Sequence, residues 1–251
     1  LARSLVGRAA PFPAEAADAL LARIARLEAV VPLDLPQELA GEEVPAETKL
    51  RLRLEPASDG GALMAELRAR PLPAPAADFC PGEGPPEVRG TAGGKRVFAR
   101  RDLAAETTRA GALEAALGLD AFPAERPWRR RIDDPERALD LVAGLQAAPR
   151  EDVTVEWPAG EERRVLSGAT PELRVRVNDA QDWFGLDGEV VLDGETVALV
   201  EVLRALREGR RYCPVRAGTW LAIGAFLRER LAPLAHVAQE AEQVARLEEA
   251  R

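Results

Sequence analysis

The sequence predicts an α+β protein: antiparallel hairpins and sheets packed with several helices, with no doubly wound parallel sheet. Two observations carry this. Segments in which apolar and polar residues alternate come in pairs around short Gly-containing turns, which is hairpin syntax. Segments with apolar residues three and four apart fall between these pairs, yet too few stand between successive single strands to build βαβ units. A chain of 251 residues with 47% hydrophobic and 30% charged residues has the balance of a globular protein.

The elements follow in order. Residues 14–30, AEAADALLARIARLEAV, set Leu20, Leu21, Ile24 and Leu27 at helical spacing. VPLDLPQELAGEEVPAE reads as a linker or extended arm, because its prolines and clustered acids suit neither helix nor central strand. In TKLRLRLEP, Leu50, Leu52 and Leu54 alternate with charged residues; ALMAELRAR repeats the pattern with Leu63, Ala65 and Leu67 on one face. The two form a hairpin across 48–70. A Pro/Gly loop follows, then a second hairpin around Gly93-Gly94. Asp102 is placed to N-cap a helix ending at Gly118, and Asp134 to N-cap a second with Pro135 at its first position.

Beyond a break near 149–152, DVTVEWP, ERRVLS and PELRVRVN read as strands. GEVVLDGETVAL is a hairpin on Asp193-Gly194, and LVEVLRALREG a short amphipathic helix ending at Gly209. RRYCPVRAGTWLAI gives two short strands around Ala217-Gly218, and a helix fills most of 224–249. The expected organisation is therefore an N-terminal helix and Pro-rich linker over 1–47, an α+β subdomain over 48–150, and a strand-rich subdomain with a C-terminal helix over 151–251.

Composition narrows the chemistry. Two cysteines, Cys80 and Cys213, are too few for a disulfide framework and read as reduced thiols in a cytoplasmic protein. With His236 they make an incomplete zinc set, so no metal is expected. No apolar run is long enough to span a membrane, and the opening LARSLVGRAAPFPAEAADALL lacks the apolar core of a signal peptide. The first residue is Leu rather than Met, which leaves open a fragment of something longer or a stand-alone gene. A net charge of −8 argues against a dedicated DNA-binding domain.

Individual motifs were weighed in turn. GTAGGKR at 90–96 fails as a phosphate loop, since Arg89 holds the first glycine's place and Arg96 follows Lys95; a hairpin turn explains its glycines. None of Ser4, Ser58 and Ser167 sits in a nucleophile elbow, and His236 lies in a helical run rather than a base position. Asp182, Asp187, Asp193 and Glu195 do not have calcium-loop spacing, and Asp-Gly turns account for Asp187 and Asp193. No catalytic, cofactor-binding or metal-ligating residue is assigned. RPWRRR at 126–131 is the one dense basic cluster. Arg126, Arg129, Arg130 and Arg131 around Trp128 suit contact with phosphates and bases, against the simpler reading of a solvated loop whose Trp packs on a helix.

One set of motifs in fixed order adds a family expectation. PELRVRVNDAQDWFGLDGEVVLDGETVALVEVLRALREGRRYCPVRAGTWLAI places alternating Arg174 and Arg176 before Asp182-Trp183-Phe184. A hairpin at Gly194, a helix with Leu203 and Leu206, Arg211-Tyr212 and Trp220 follow. Upstream stand FCPGEGPPEVRG, RRDLAAE and DDPERALDLV. Over roughly 45–235 this resembles the helicase-associated, N-terminal accessory region of bacterial Swi/Snf-family ATPases, helicase-like DNA translocases. The resemblance implies a non-catalytic accessory domain that docks on or regulates a two-lobed motor, in cis or as a separate chain. ATP and Mg would belong to that motor, and no cofactor to this chain. Trp183 and Phe184 point to opposite faces if extended, one into the core and one toward the motor. The alternative is a DNA-contacting module that touches double-stranded DNA weakly through the 126–131 cluster. An independent small-molecule enzyme has almost no support in the residues. No membrane partner is expected.

Overall fold

The fold is α+β. The computed structural model describes residues 41–57, 62–73, 77–93, 95–167, 171–180 and 183–234, with side chains described outside 175–187. The predicted helix over 14–30, most of the linker before Gly41, and the C-terminal stretch with His236 lie outside the described residues. Among those described, no helix is long and apolar enough to cross a membrane.

The strands are β1 (Glu42–Glu43), β2 (Leu50–Pro56), β3 (Leu63–Ala69), β4 (Glu87–Ala92), β5 (Lys95–Arg100), β6 (Ala124–Arg126) and β7 (Arg129–Ile132), followed by β8 (Val153–Glu156), β9 (Arg164–Leu166), β10 (Glu172–Ala180), β11 (Trp183–Leu192), β12 (Glu195–Ala198), β13 (Tyr212–Arg216) and β14 (Thr219–Ala222). The helices are α1 (Leu103–Ala116), α2 (Pro135–Ala147), α3 (Leu199–Arg207) and a last one, α4, over 225–234. Four sheets run in the orders β1-β5-β4, β6-β7-β3-β2-β8, β10-β11-β12 and β13-β14-β9.

The described chain divides into two compact units that alternate along the sequence. One comprises 41–53, 66–130 and 151–156; the other comprises 54–65, 131–150 and 157–234. The expected break near 150 is one of the points where the chain passes from one to the other.

Most of the local grammar holds. Leu50, Leu52 and Leu54 are buried and alternate with more exposed neighbours. β4 and β5 pair antiparallel with Ala92 opposite Lys95, so GTAGGKR is a hairpin turn, with Gly93 at φ 59. Asp102 caps α1 by accepting from the Ala105 N–H at 2.9 Å. Gly118 follows that helix in the left-handed region at φ 64. Asp134 caps α2 through the N–H groups of Glu136 and Arg137, with Pro135 at the first position. At the end of α3 the Gly209 N–H reaches Leu206 O and the Arg210 N–H reaches Ala205 O, so a Schellman closure ends the helix at Gly209.

Four features depart from the sequence reading. β3 is a central strand between β2 and β7 and is buried on both faces, Met64 and Glu66 included, so the one-face alternation read from ALMAELRAR does not hold there. Three strand pairs are parallel, β1 with β5, β2 with β8 and β9 with β14; hairpin logic does not reach such long-range partners. Asp187-Gly188 is no turn: it lies inside β11, opposite Arg176 and Val175, because β10 is long enough to keep pairing past it. RPWRRR is not a loop but the hairpin of β6 and β7.

The first unit turns on a buried ion pair. Arg101, with its side chain fully buried, donates from Nε and Nη2 to the Glu106 carboxylate at 2.8 and 2.6 Å. Its Nη1 donates to the carbonyls of Glu83 and Pro85, and its guanidinium lies over the Phe79 ring at 4.5 Å. The Gly82 N–H donates to Glu106 at 3.2 Å. Phe79 itself bridges to Ala69 of β3 through both backbone groups, so the Pro/Gly loop is pinned at two ends.

In the second unit Val190, Leu192 and Val197 of the β11–β12 hairpin meet Leu199, Val202 and Leu203 of α3, as the alternation predicts. Cys213, Leu221 and Leu227 complete that core.

Two measurements follow. Glu106→Gln leaves the Arg101 charge buried without its partner and is expected to cost about 3–5 kcal/mol, while the double replacement Arg101→Met with Glu106→Leu costs less; denaturant titration compares them. Cys213 is fully buried, and burial pushes its thiol up to about 11, against the smaller opposing pull of the Arg210 charge. The unfolded chain ionises this thiol first, so its contribution is present below pH 9 and lost as pH rises to about 11. That loss is up to about 2–3 kcal/mol, and Cys213→Ala flattens it in alkaline melts.

Candidate functional site

The β6–β7 hairpin carries every residue proposed for nucleic-acid contact. Arg126 stands opposite Arg129, so Pro127 and Trp128 form a two-residue turn, and Trp128 adopts φ 60. A left-handed tryptophan costs about 1–2 kcal/mol and needs tertiary support. Three contacts supply it. The indole Nε1 donates to Pro81 O at 2.9 Å, the Trp128 carbonyl accepts from the Leu67 N–H at 2.9 Å, and the ring lies beside Gly111 of α1. Trp128 is therefore half-buried, a peg joining the hairpin to the Pro/Gly loop and to α1.

The arginines are matched by carboxylates. Glu66, only 6% exposed, receives Arg126 at 3.0 Å, Arg129 at 3.3 Å and Arg68 at 2.8 Å. Arg129 also reaches Glu125. Arg130 donates to Glu114 of α1 at 2.6 Å, a bond that holds its guanidinium above its usual pKa. Arg131 pairs with Asp133 at 2.6 Å. Of the cluster only Arg126 is exposed. Sequence proximity made the run look like a free basic patch. The acids that neutralise it, Glu66 and Glu114, are distant in sequence and arrive by folding.

Trp183 and Phe184 open β11, opposite Ala180 and Asp179 of β10. The pairing of β10 with β11 was not part of the sequence reading, which placed a hairpin on Asp193-Gly194, between β11 and β12; the side chains of Trp183 and Phe184 lie outside the described residues. The Asp193-Gly194 turn that follows has φ 51 and 79.

One constellation was not singled out from the sequence. Glu136 and Asp140, four apart on α2, face Arg211 and Tyr212. The Arg211 backbone N–H and Nε donate to Glu136 at 2.7 and 2.9 Å, and its Nη1 donates to Asp140 at 2.9 Å. The Tyr212 hydroxyl donates to the same Asp140 oxygen at 2.6 Å. Hydrogen bonds to both carboxylates raise the Arg211 pKa, and burial followed by the bond to Asp140 raises that of Tyr212. The i, i+4 spacing of the two acids in DDPERALD was the available signal.

Cys80 is half-buried and Cys213 buried, both as free thiols. Among the described residues no group of three or more His, Cys, Asp or Glu side chains gathers around a metal-sized space. Comparisons with protein-family models, curated proteins and solved structures each return no match.

Phosphate must compete with Glu66 for Arg126 and Arg129. The wild-type chain is expected to bind duplex DNA weakly, with a shallow dependence of affinity on salt. Glu66→Gln removes the carboxylate that Arg126 and Arg129 share and should strengthen binding and steepen that dependence by about one to two phosphate contacts' worth. Unchanged affinity and slope in the variant, by fluorescence anisotropy across a salt series, rule the hairpin out as a DNA contact.

Proposed function

We propose that this chain is a non-catalytic accessory domain of a bacterial Swi/Snf-type DNA translocase, and that it docks on the ATPase motor and regulates it. One observation carries the reading: the charged residues of the motifs behind the resemblance are engaged inside the domain. Arg101 and Glu106 of RRDLAAE close on FCPGEGPP. Arg211 and Tyr212 close on Glu136 and Asp140 of DDPERALDLV. Motifs used in this way preserve a shape for a partner rather than present reactive groups. The ion pairing of the 126–131 hairpin favours docking over direct DNA contact. Two free thiols agree with a reducing compartment, so the chain is assigned to the cytoplasm. ATP and Mg belong to the motor in this reading.

Trp183 and Phe184 are the proposed docking residues, since large aromatics are favoured interface anchors and strand neighbours face opposite ways. The test combines the purified chain with the motor of the same parent. The chain alone is expected to hydrolyse no ATP, and its addition to change the DNA-stimulated turnover of the motor several-fold. One of Trp183→Ala and Phe184→Ala should lose that effect with its melting temperature unchanged. The other should unfold the β10–β12 region, at about 3–5 kcal/mol. Turnover by the chain alone that disappears in Lys95→Ala overturns the reading, as does a motor indifferent to the chain.

A further inference from the structure

Arg163 is a buried arginine that no described carboxylate matches. It stands just before β9, and its whole residue is 9% exposed. Among the described residues no carboxylate or carbonyl accepts from its guanidinium. Its one described contact is the face of Trp220, 5.6 Å from the ring centroid. Burial alone displaces its pKa, downward, with no neighbouring charge offsetting it. The guanidinium nevertheless keeps its proton at neutral pH. A cation–π contact contributes about 0.5–2 kcal/mol, less than the several kcal/mol that desolvating an unpaired charge costs.

The same side chain lines a cavity of about 880 Å3. The turn at Gly218 closes one wall: Gly218 has φ 75, and a Cβ there would lie 2.9 Å from Glu162 O. The Arg164 N–H donates to Gly218 O at 2.7 Å, fixing the turn against the start of β9. Arg164, Arg216 and buried Thr219 also line the space. Arg216 is already forked onto Glu195, with Nη2 at 2.8 Å and Nε at 3.1 Å. Glu161 and Glu162 are exposed carboxylates on the same lining. Of the three arginines on the lining Arg163 is the buried one, and among the described residues no carboxylate is paired with it.

We propose that this cavity is a binding site for a small molecule bearing an oxyanion, whose phosphate or carboxylate group seats on the Arg163 guanidinium beside Trp220. The cavity is open to solvent and larger than a bare ion, so the oxyanion is the anchor of a larger molecule. The site is independent of the docking reading and stands or falls separately.

The experiment titrates the full chain with inorganic phosphate and, separately, acetate, against chloride at matched ionic strength, following thermal unfolding. A specific site raises the folded-to-unfolded ratio in proportion to one plus the anion concentration over its dissociation constant, about tenfold at ten times that constant. Arg163→Gln should lose that rise, and Arg174→Gln, on an exposed strand, should keep it. Stronger stabilisation by phosphate identifies a phosphorylated ligand, and by acetate a carboxylate. A rise that persists in Arg163→Gln, or no rise with either anion beyond the chloride control, overturns the proposal. Should Arg163→Gln fail to fold, the Arg163 Nε–H resonance of the wild-type protein decides. A saturable shift on adding phosphate or acetate supports the site, and an unmoved resonance overturns it.

Discussion

The buried pairing of Arg101 with Glu106 is the contact on which the first unit depends. Two opposite charges taken out of water are tolerated only when every donor finds an acceptor. Arg101 meets that condition by reaching two carboxylate oxygens and two loop carbonyls at once. Glu106 sits on the first turn of α1, where its negative charge also suits the helix N-terminus. One interaction thus orients the helix, closes the loop over 81–86 and stacks Phe79. Gly84, at φ 90 and close to both Phe79 and Arg101, leaves room for that stacking.

The second unit repeats the logic at its surface. Arg211 and Tyr212 are tied to Glu136 and Asp140, which are exposed or half-buried, so each bond contributes less than its buried counterpart. Their value lies in geometry. Two acids one helical turn apart receive four donors from consecutive residues, which sets α2 against the start of β13. Segments far apart in sequence are therefore read as pairs, RRDLAAE with FCPGEGPP and DDPERALD with GRRY.

Arginine is the common reagent. Its planar fork holds two acceptors without losing its charge, which suits both the buried pair and the clustered acceptors of Glu66. Where carboxylates match it, the arginine is structural. Where a buried arginine faces a cavity without one, as at Arg163, the imbalance points outward to a ligand.

Local chemistry was legible because it acts over a few residues. Alternating leucines set β2, Gly93 its hairpin, Asp102 and Asp134 their caps, and Gly209 the end of α3. What the sequence by itself determined is the α+β class, most element positions, and the hairpin that Trp183 and Phe184 begin. The tertiary structure decided the parallel pairings, the two-sided burial of β3, and the neutralisation of Arg126–Arg131 by Glu66, Glu114 and Asp133. It also decided the seclusion of Arg163. The physical reason is range. Caps, turns and alternation are fixed by neighbours in the chain, whereas a side chain's charge balance depends on acids brought to it from 16 or 63 residues away.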